Sequence, residues 1–184
     1  PGAGGAAGYG GATHRDVSAL DLSGETERAI RICRDSKSPI AIDAGAYDVV
    51  MEPEAVSELL EWLAATAFAA PEVEQGVSAV AGRKGERVTG DSVTIVEDPL
   101  DATDLGFGTP FDREGVDRTR VTLLERGVAR DILFDRAHAR RMGARSTGSA
   151  VPPGFGAEGG VGGTAIHLAP GGAASVGELV ANVE

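Results

Sequence analysis

The chain reads as an α+β fold, mainly an antiparallel β-sheet with a few packed helices. Three observations lead there. Apolar and polar residues alternate at Val93 and Ile95, and again at Thr119, Val121 and Leu123, which is the two-residue period of a half-buried strand. Glu125-Arg126-Gly127 reverses the chain, and Gly127 suits the left-handed position of a three-residue bulged turn, so residues 118–124 are expected to pair antiparallel with 128–134. Val56, Leu59, Leu60 and Leu63 recur at helical spacing with Ala67 one turn on, predicting a helix over 53–67 with one face in the core.

The remaining elements follow in chain order. Residues 1–11 are nearly all Gly and Ala, offering little side chain to bury, and read as a loop or disordered lead-in. Ser23 is a candidate cap for a helix with Glu25 and Glu27 in its first turn, stopped by Pro39. Residues 40–42 and 47–51 look like short extended pieces around a turn at Gly45. Pro53 suits the first position of the 53–67 helix, and Pro71 is expected to end it. Asp98 to Asp117 is rich in turn formers and reads as a long exposed connection. Asp135 as N-cap and Gly143 as the residue past the end bracket a helix of about two turns. Residues 148–163 collapse into Gly, Pro and Ala and read as a flexible loop or one ordered by a partner. Residues 164–168 read as a last strand. Ser175 and Glu178 form a capping box for a terminal helix whose apolar face is Val176, Leu179, Val180 and Val183.

Composition narrows the function. The 184 residues are 42% hydrophobic but hold 27 glycines and only 4% aromatics, so the core should be aliphatic with long irregular connections. Asp+Glu number 28 against 17 Lys+Arg, and a formal charge of -11 repels phosphate backbones, which disfavours nucleic acid as a partner. The single cysteine, Cys33, excludes an internal disulfide, and with no signal-peptide pattern it suggests the cytoplasm. No apolar run is long enough to cross a bilayer as a helix, so no membrane partner is expected.

Candidate chemistry is sparse. His14, His138 and His167 are the only imidazoles, and none lies in a spacing that puts two ligands on one helical face, so no metal is expected in this chain. Asp98, Asp101 and Asp104 invite a calcium-loop reading, but the required glycine and terminal Glu are out of place. Asp112 and Glu114 could serve as an acid–base pair, yet beside Gly115 they look equally like turn residues. Cys33, on the apolar side of its helix, is a poor nucleophile. Gly106-Phe107-Gly108 and Gly154-Phe155-Gly156 lack the strand and helix flanks of a phosphate cradle, and Arg136, Arg140, Arg141 and Arg145 could hold an anion but read first as a solvated basic face. No catalytic residue is assigned, and no substrate-binding residue is identified.

Motif order says more than the chemistry. Met51-Glu52-Pro53-Glu54-Ala55-Val56, Val93-Thr94-Ile95-Val96-Glu97-Asp98-Pro99, Pro110-Phe111-Asp112-Arg113-Glu114-Gly115-Val116, Val121-Thr122-Leu123-Leu124-Glu125-Arg126-Gly127-Val128 and Ser146-Thr147-Gly148 together resemble the TldD/PmbA family. The resemblance runs from about Gly8 to the last residue. Members were first described as modulators of DNA gyrase and are understood as a two-subunit metalloprotease, TldD with TldE (PmbA). The resemblance implies a largely β C-terminal domain over 39–184, incomplete at its C-terminus, preceded over 1–38 by a Gly-rich lead-in and a linker helix from the N-terminal domain.

In the catalytic subunit of that family, the helix equivalent to 53–67 resembles a zinc helix carrying His-Glu-x-x-x-His. Here it offers Glu54, Ser57, Glu58, Glu61 and Trp62. The chain therefore resembles the non-catalytic TldE/PmbA type, with zinc expected only in a TldD-type partner. That implies a TldD-type catalytic subunit or a homodimer as partner and an unfolded or precursor peptide as substrate. A regulatory modulator that binds protein without proteolysis is the alternative. Arg126-Gly127 stands where the family commonly has Asn-Gly, and Ser149-Ala150-Val151 replaces an Asn and arginines after Thr147-Gly148.

Overall fold

A computed structural model describes residues 5–14, 16–101, 108–152, 160–181 and 183. Two compact units divide between Tyr47 and Asp48. In the first, a 3₁₀ turn over Val17–Ala19 precedes α1, Leu22–Asp35. Asp21 caps α1, its carboxylate accepting from the Gly24 amide at 2.9 Å, so the cap lies two residues before the expected Ser23. The lead-in is irregular but tethered. Gly11 N–H donates to the Glu25 carboxylate at 2.9 Å, and the Cys33 thiol donates to the Ala6 carbonyl. The helix ends at Asp35, before Pro39. Residues 40–42 and 47–51 form no strand, and Ile40, Ile42 and Val49 are exposed because nothing pairs with that stretch among the described residues.

The second unit opens with α2, Pro53–Thr66, with Pro53 in its first turn as expected. Its buried side differs from the expected one. Leu60 and Ala64 face the core with Ala67 beyond them, whereas Leu59, Trp62 and Leu63 are exposed. Pro71 does not end α2, which stops at Thr66; it starts α3, Ala70–Glu74. Proline suits that place because a first-turn N–H has no helical partner anyway.

Four strands follow: β1 (Ile95–Glu97), β2 (Val121–Glu125), β3 (Val128–Ala129) and β4 (Ile166–Leu168), antiparallel in the order β3-β2-β1-β4. Val96 stands between Thr122 and His167. All three β1 residues are buried, so β1 is covered on both faces and is not a half-exposed strand. Leu123, Leu133 and Val161 are fully enclosed and form the aliphatic core with Phe68, Val80 and Ile95. The hydrophobic effect at about 25 cal/mol per Å² of apolar surface makes that cluster the main cohesive term.

The hairpin turn is tighter than expected. Glu125 pairs with Val128, leaving a two-residue loop in which Arg126 (φ 48°) and Gly127 (φ 75°) both take the positive φ of a type I′ turn. Gly127 is also required sterically, since a Cβ there would strike the Thr89 and Gly90 carbonyls. The second strand leaves the hairpin early. Leu133 turns away to exchange backbone hydrogen bonds with Phe68 and Ala70 at 2.8 and 3.0 Å.

Beyond it, α4 spans Arg136–Arg141, with the Asp135 carboxylate accepting from His138 N–H at 2.7 Å. Gly143 (φ 66°) and the Ala144-to-Ala139 bond at 2.8 Å close the helix in Schellman fashion. Residues 148–152 and 160–163 are not a loose loop: Ala150 bridges Val161, and Ser149 is 2% exposed. Residues 153–159 lie outside the described set. The terminal helix α5, Val176–Ala181, has its capping Ser175 bond at 3.1 Å, but the Glu178 carboxylate returns to Ala174 N–H. Its Val176, Leu179 and Val180 are exposed and do not pack on the core.

A charge pair lies inside the sheet. Glu97 of β1 (1% exposed) meets Arg118 (6% exposed) at 3.0 Å. The Glu97 carboxylate also accepts from the Thr164 and Ala165 amides, each at 3.1 Å, and Arg118 donates to the Thr109 hydroxyl at 2.9 Å. Burial pulls the Arg118 guanidinium below its ordinary value, while Glu97 and then Asp112 oppose the shift.

Two stability outcomes are expected. Arg118→Met leaves Glu97 charged and unpaired, and should lower urea-unfolding stability by about 3–5 kcal/mol. An unchanged midpoint would mean that the pair is not buried as described. Arg126→Asn should raise stability by up to about 1 kcal/mol, because Asn tolerates the left-handed region better than Arg.

Candidate functional site

The candidate site follows from where α2 lies. Helix α2 packs beside β4, and between them runs a groove of about 740 Å³. Ser57, Glu58, Glu61 and Trp62 form its helical wall, with Thr164 and Ile166 opposite. Strand β4 stands last in the sheet, so one of its edges pairs with no strand among the described residues. The Glu58 and Glu61 side chains make no hydrogen bond or ion pair among the described residues, and Trp62 is 64% exposed. Such a wall offers backbone hydrogen bonds on one side, and negative charge with an aromatic surface on the other. It can hold an extended segment without performing chemistry on it.

The donor set does not suit zinc. Ser57, Glu58 and Glu61 include no imidazole or thiolate, and among the described residues no group of three or more His, Cys, Asp or Glu side chains is arranged to hold a metal. Glu54 lies in the first turn of α2 and does not line the groove.

The other candidates separate into structural roles. Asp112 is buried, and its carboxylate accepts from the amides of Glu114, Val116 and Ala150 at 2.9, 2.9 and 3.0 Å. Glu114 accepts from Arg136 N–H at 2.9 Å, so the two carboxylates shape a turn and a helix start and do not face a shared substrate space as an acid–base pair. His138 is not a free surface residue: its side chain is 12% exposed, with Nδ1 2.8 Å from Asp135 and Nε2 3.8 Å from Glu74. Glu74 binds Arg141 at 2.8 Å, which holds the Glu74 carboxyl below and the Arg141 guanidinium above their ordinary ranges. The basic face is thus partly structural, joining α3 to α4.

Asp98 pairs with Arg120 at 3.0 Å, and His167 sits 3.7 Å from Asp101. Asp104, Phe107 and the 154–156 motif lie outside the described residues. His14 is half-buried, its Nδ1 accepting from Asp16 N–H at 2.9 Å. In Ser146-Thr147-Gly148, the Thr147 hydroxyl accepts from Phe134 N–H at 2.8 Å, and Gly148 (φ 70°) lies so close to Asp117 and Arg118 that a Cβ would clash. These motif residues are packing devices.

The family model for the PmbA/TldA metallopeptidase C-terminal domain matches residues 44–184. The chain belongs to the TldD/PmbA family. A metalloprotease of Methanothermobacter thermautotrophicus is 33% identical over 125 residues, covering 67% of this chain and 26% of that protein. A metalloprotease of Archaeoglobus fulgidus is 32% identical over 139 residues, covering 71% and 32%. The chain therefore spans about a third or less of the curated relatives it matches.

Among solved structures, a Thermotoga maritima protein named as a candidate modulator of a DNA gyrase superposes with TM-score 0.79 at 30% identity, covering 91% of this chain and 37% of that one. TldE from Thermococcus kodakarensis superposes at 0.71 with 20% identity over 92% and 38%, a likeness of fold alone. The α+β architecture of helices around a four-stranded antiparallel sheet is the one expected from the motifs.

Sequence reasoning missed Glu97 and Arg118, although both lie in or beside quoted motifs. The available signal was Glu97 two residues after Ile95, on the inward phase of a strand. Asp112→Asn would turn an amide N–H toward backbone donors and should cost about 1–3 kcal/mol of stability in a denaturant titration. Loss of an activity with stability unchanged would instead restore the acid–base reading.

Proposed function

We propose that this chain is the C-terminal part of a non-catalytic TldE/PmbA-type subunit in a cytoplasmic metalloprotease complex. It aids assembly with a zinc-bearing TldD-type partner and the access of unfolded or precursor peptide to that partner's site. One observation carries the reading: α2, where the catalytic type is expected to carry its zinc-binding histidines, has none, yet lines an open groove beside a strand edge. An unfolded peptide can add to such an edge by main-chain hydrogen bonds alone. The archaeal relatives named metalloproteases support a proteolytic setting.

The name of the Thermotoga maritima relative favours a second reading, a modulator that binds protein without proteolysis. At a formal charge of -11, direct DNA contact is disfavoured in either case. Recovery of gyrase in a pull-down, without a TldD-like subunit, would favour the modulator.

The decisive measurement mixes the full-length protein with its TldD-type partner and follows cleavage of an unstructured peptide. Cleavage is expected only with both subunits, with zinc in the partner and less than stoichiometric zinc in the full-length protein alone. Glu58→Lys with Glu61→Lys should slow cleavage several-fold without unfolding the chain, since both side chains are exposed. Equal cleavage by the partner alone would refute the proposal.

A further inference from the structure

A second cavity, of about 500 Å³, opens near β3, with Val73 of α3 and Met142 just beyond α4 on its lining, and shares no lining residue with the α2 groove. That volume is within the range of small-molecule sites. Its walls are apolar: Val73, Val80, Ile132, Phe134 and Met142. Lys84, Arg130 and Arg145 are on its lining together with one carboxylate, Asp131, on a chain that is otherwise strongly acidic. Lys84 pairs with Asp131 at 3.4 Å, and Arg130 pairs with Glu125 at 2.8 Å. Arg145 has no ion pair or hydrogen bond among the described residues. The hydroxyls of Thr119 and Ser146 lie on the same lining.

An apolar lining with one guanidinium that has no partner among the described residues selects for a ligand with an aliphatic or aromatic body and a single anionic end. A guanidinium bonds a carboxylate through two parallel N–H donors, which fixes orientation as well as charge. We infer that this cavity binds an apolar carboxylate, the chemistry shared by the hydrophobic C-terminal residue of a peptide and by a free medium-chain carboxylic acid. The apolar body enters between Ile132, Phe134 and Met142, and the carboxylate meets Arg145. Lys84 and Arg130 are already engaged by Asp131 and Glu125, which leaves Arg145 as the group that meets the carboxylate.

The test uses amide NMR titrations of the full-length protein with two acid and amide pairs: acetyl-Ala-Ala-Leu with its C-terminal amide, and hexanoate with hexanamide. Saturable shifts at residues around the cavity are expected with at least one acid and not with its amide. Arg145→Gln should weaken that acid at least about tenfold, as loss of one charge-assisted hydrogen bond implies, while Arg145→Lys recovers part of the affinity. Tighter binding of the peptide acid identifies a peptide C-terminus as the source, and tighter binding of hexanoate identifies a free acid. Equal binding of acid and amide, no saturable shift with either acid, or an unaffected Arg145→Gln variant would overturn the inference. Arg145 is exposed, so its substitution leaves the fold intact as a control.

Discussion

A carboxylate at the centre of the sheet must find all its partners inside the protein, and Glu97 does so by drawing in segments that are far apart in sequence. Arg118 comes from the approach to β2, and Thr164 and Ala165 from the approach to β4. Arg118 in turn reaches Thr109 in the connection after β1. A buried charge left without such partners costs several kcal/mol, so these four segments hold their places together or not at all. The aliphatic cluster supplies cohesion, but it is non-directional. The Glu97 network supplies register, fixing where β4 begins relative to β1.

Local chemistry made much of the fold legible. The hairpin around Gly127, the proline start of α2, the Asp135 cap with Gly143, and the last strand all depend on signals within a few residues. Errors arose where distant contacts override such signals. Ser23 looked like a cap, but Asp21 reaches the Gly24 amide first. Leu59 and Leu63 carry the right period for a core face, yet α2 meets the sheet through Leu60 and Ala64. Residues 148–163 have a loop-like composition, but small residues at 149–150 allow the backbone to pair tightly with Val161.

The candidate site was legible in a different way. No residue there announces chemistry, and the proposed role rests on the absence of histidine from α2. What the sequence could not show is that Glu58, Glu61 and Trp62 share a wall with the approach to β4, because that depends on the packing of α2 on β4. Asp112 and Glu114 show the converse. They looked like possible acid–base chemistry, and their oxygens are taken up by backbone amides.

The reach of the Glu97 bonds also bears on how the protein is made. Its amide partners lie 67 and 68 residues downstream, so a chain synthesised from its N-terminus emerges with that carboxylate able to meet Arg118 but not its two amide donors until the approach to β4 has followed. Pairings between segments distant in sequence form more slowly than local ones, because the entropy of closing the loop must be met first. The sheet is thus complete only once β4 has emerged, and until then β1 presents an edge without its outer neighbour.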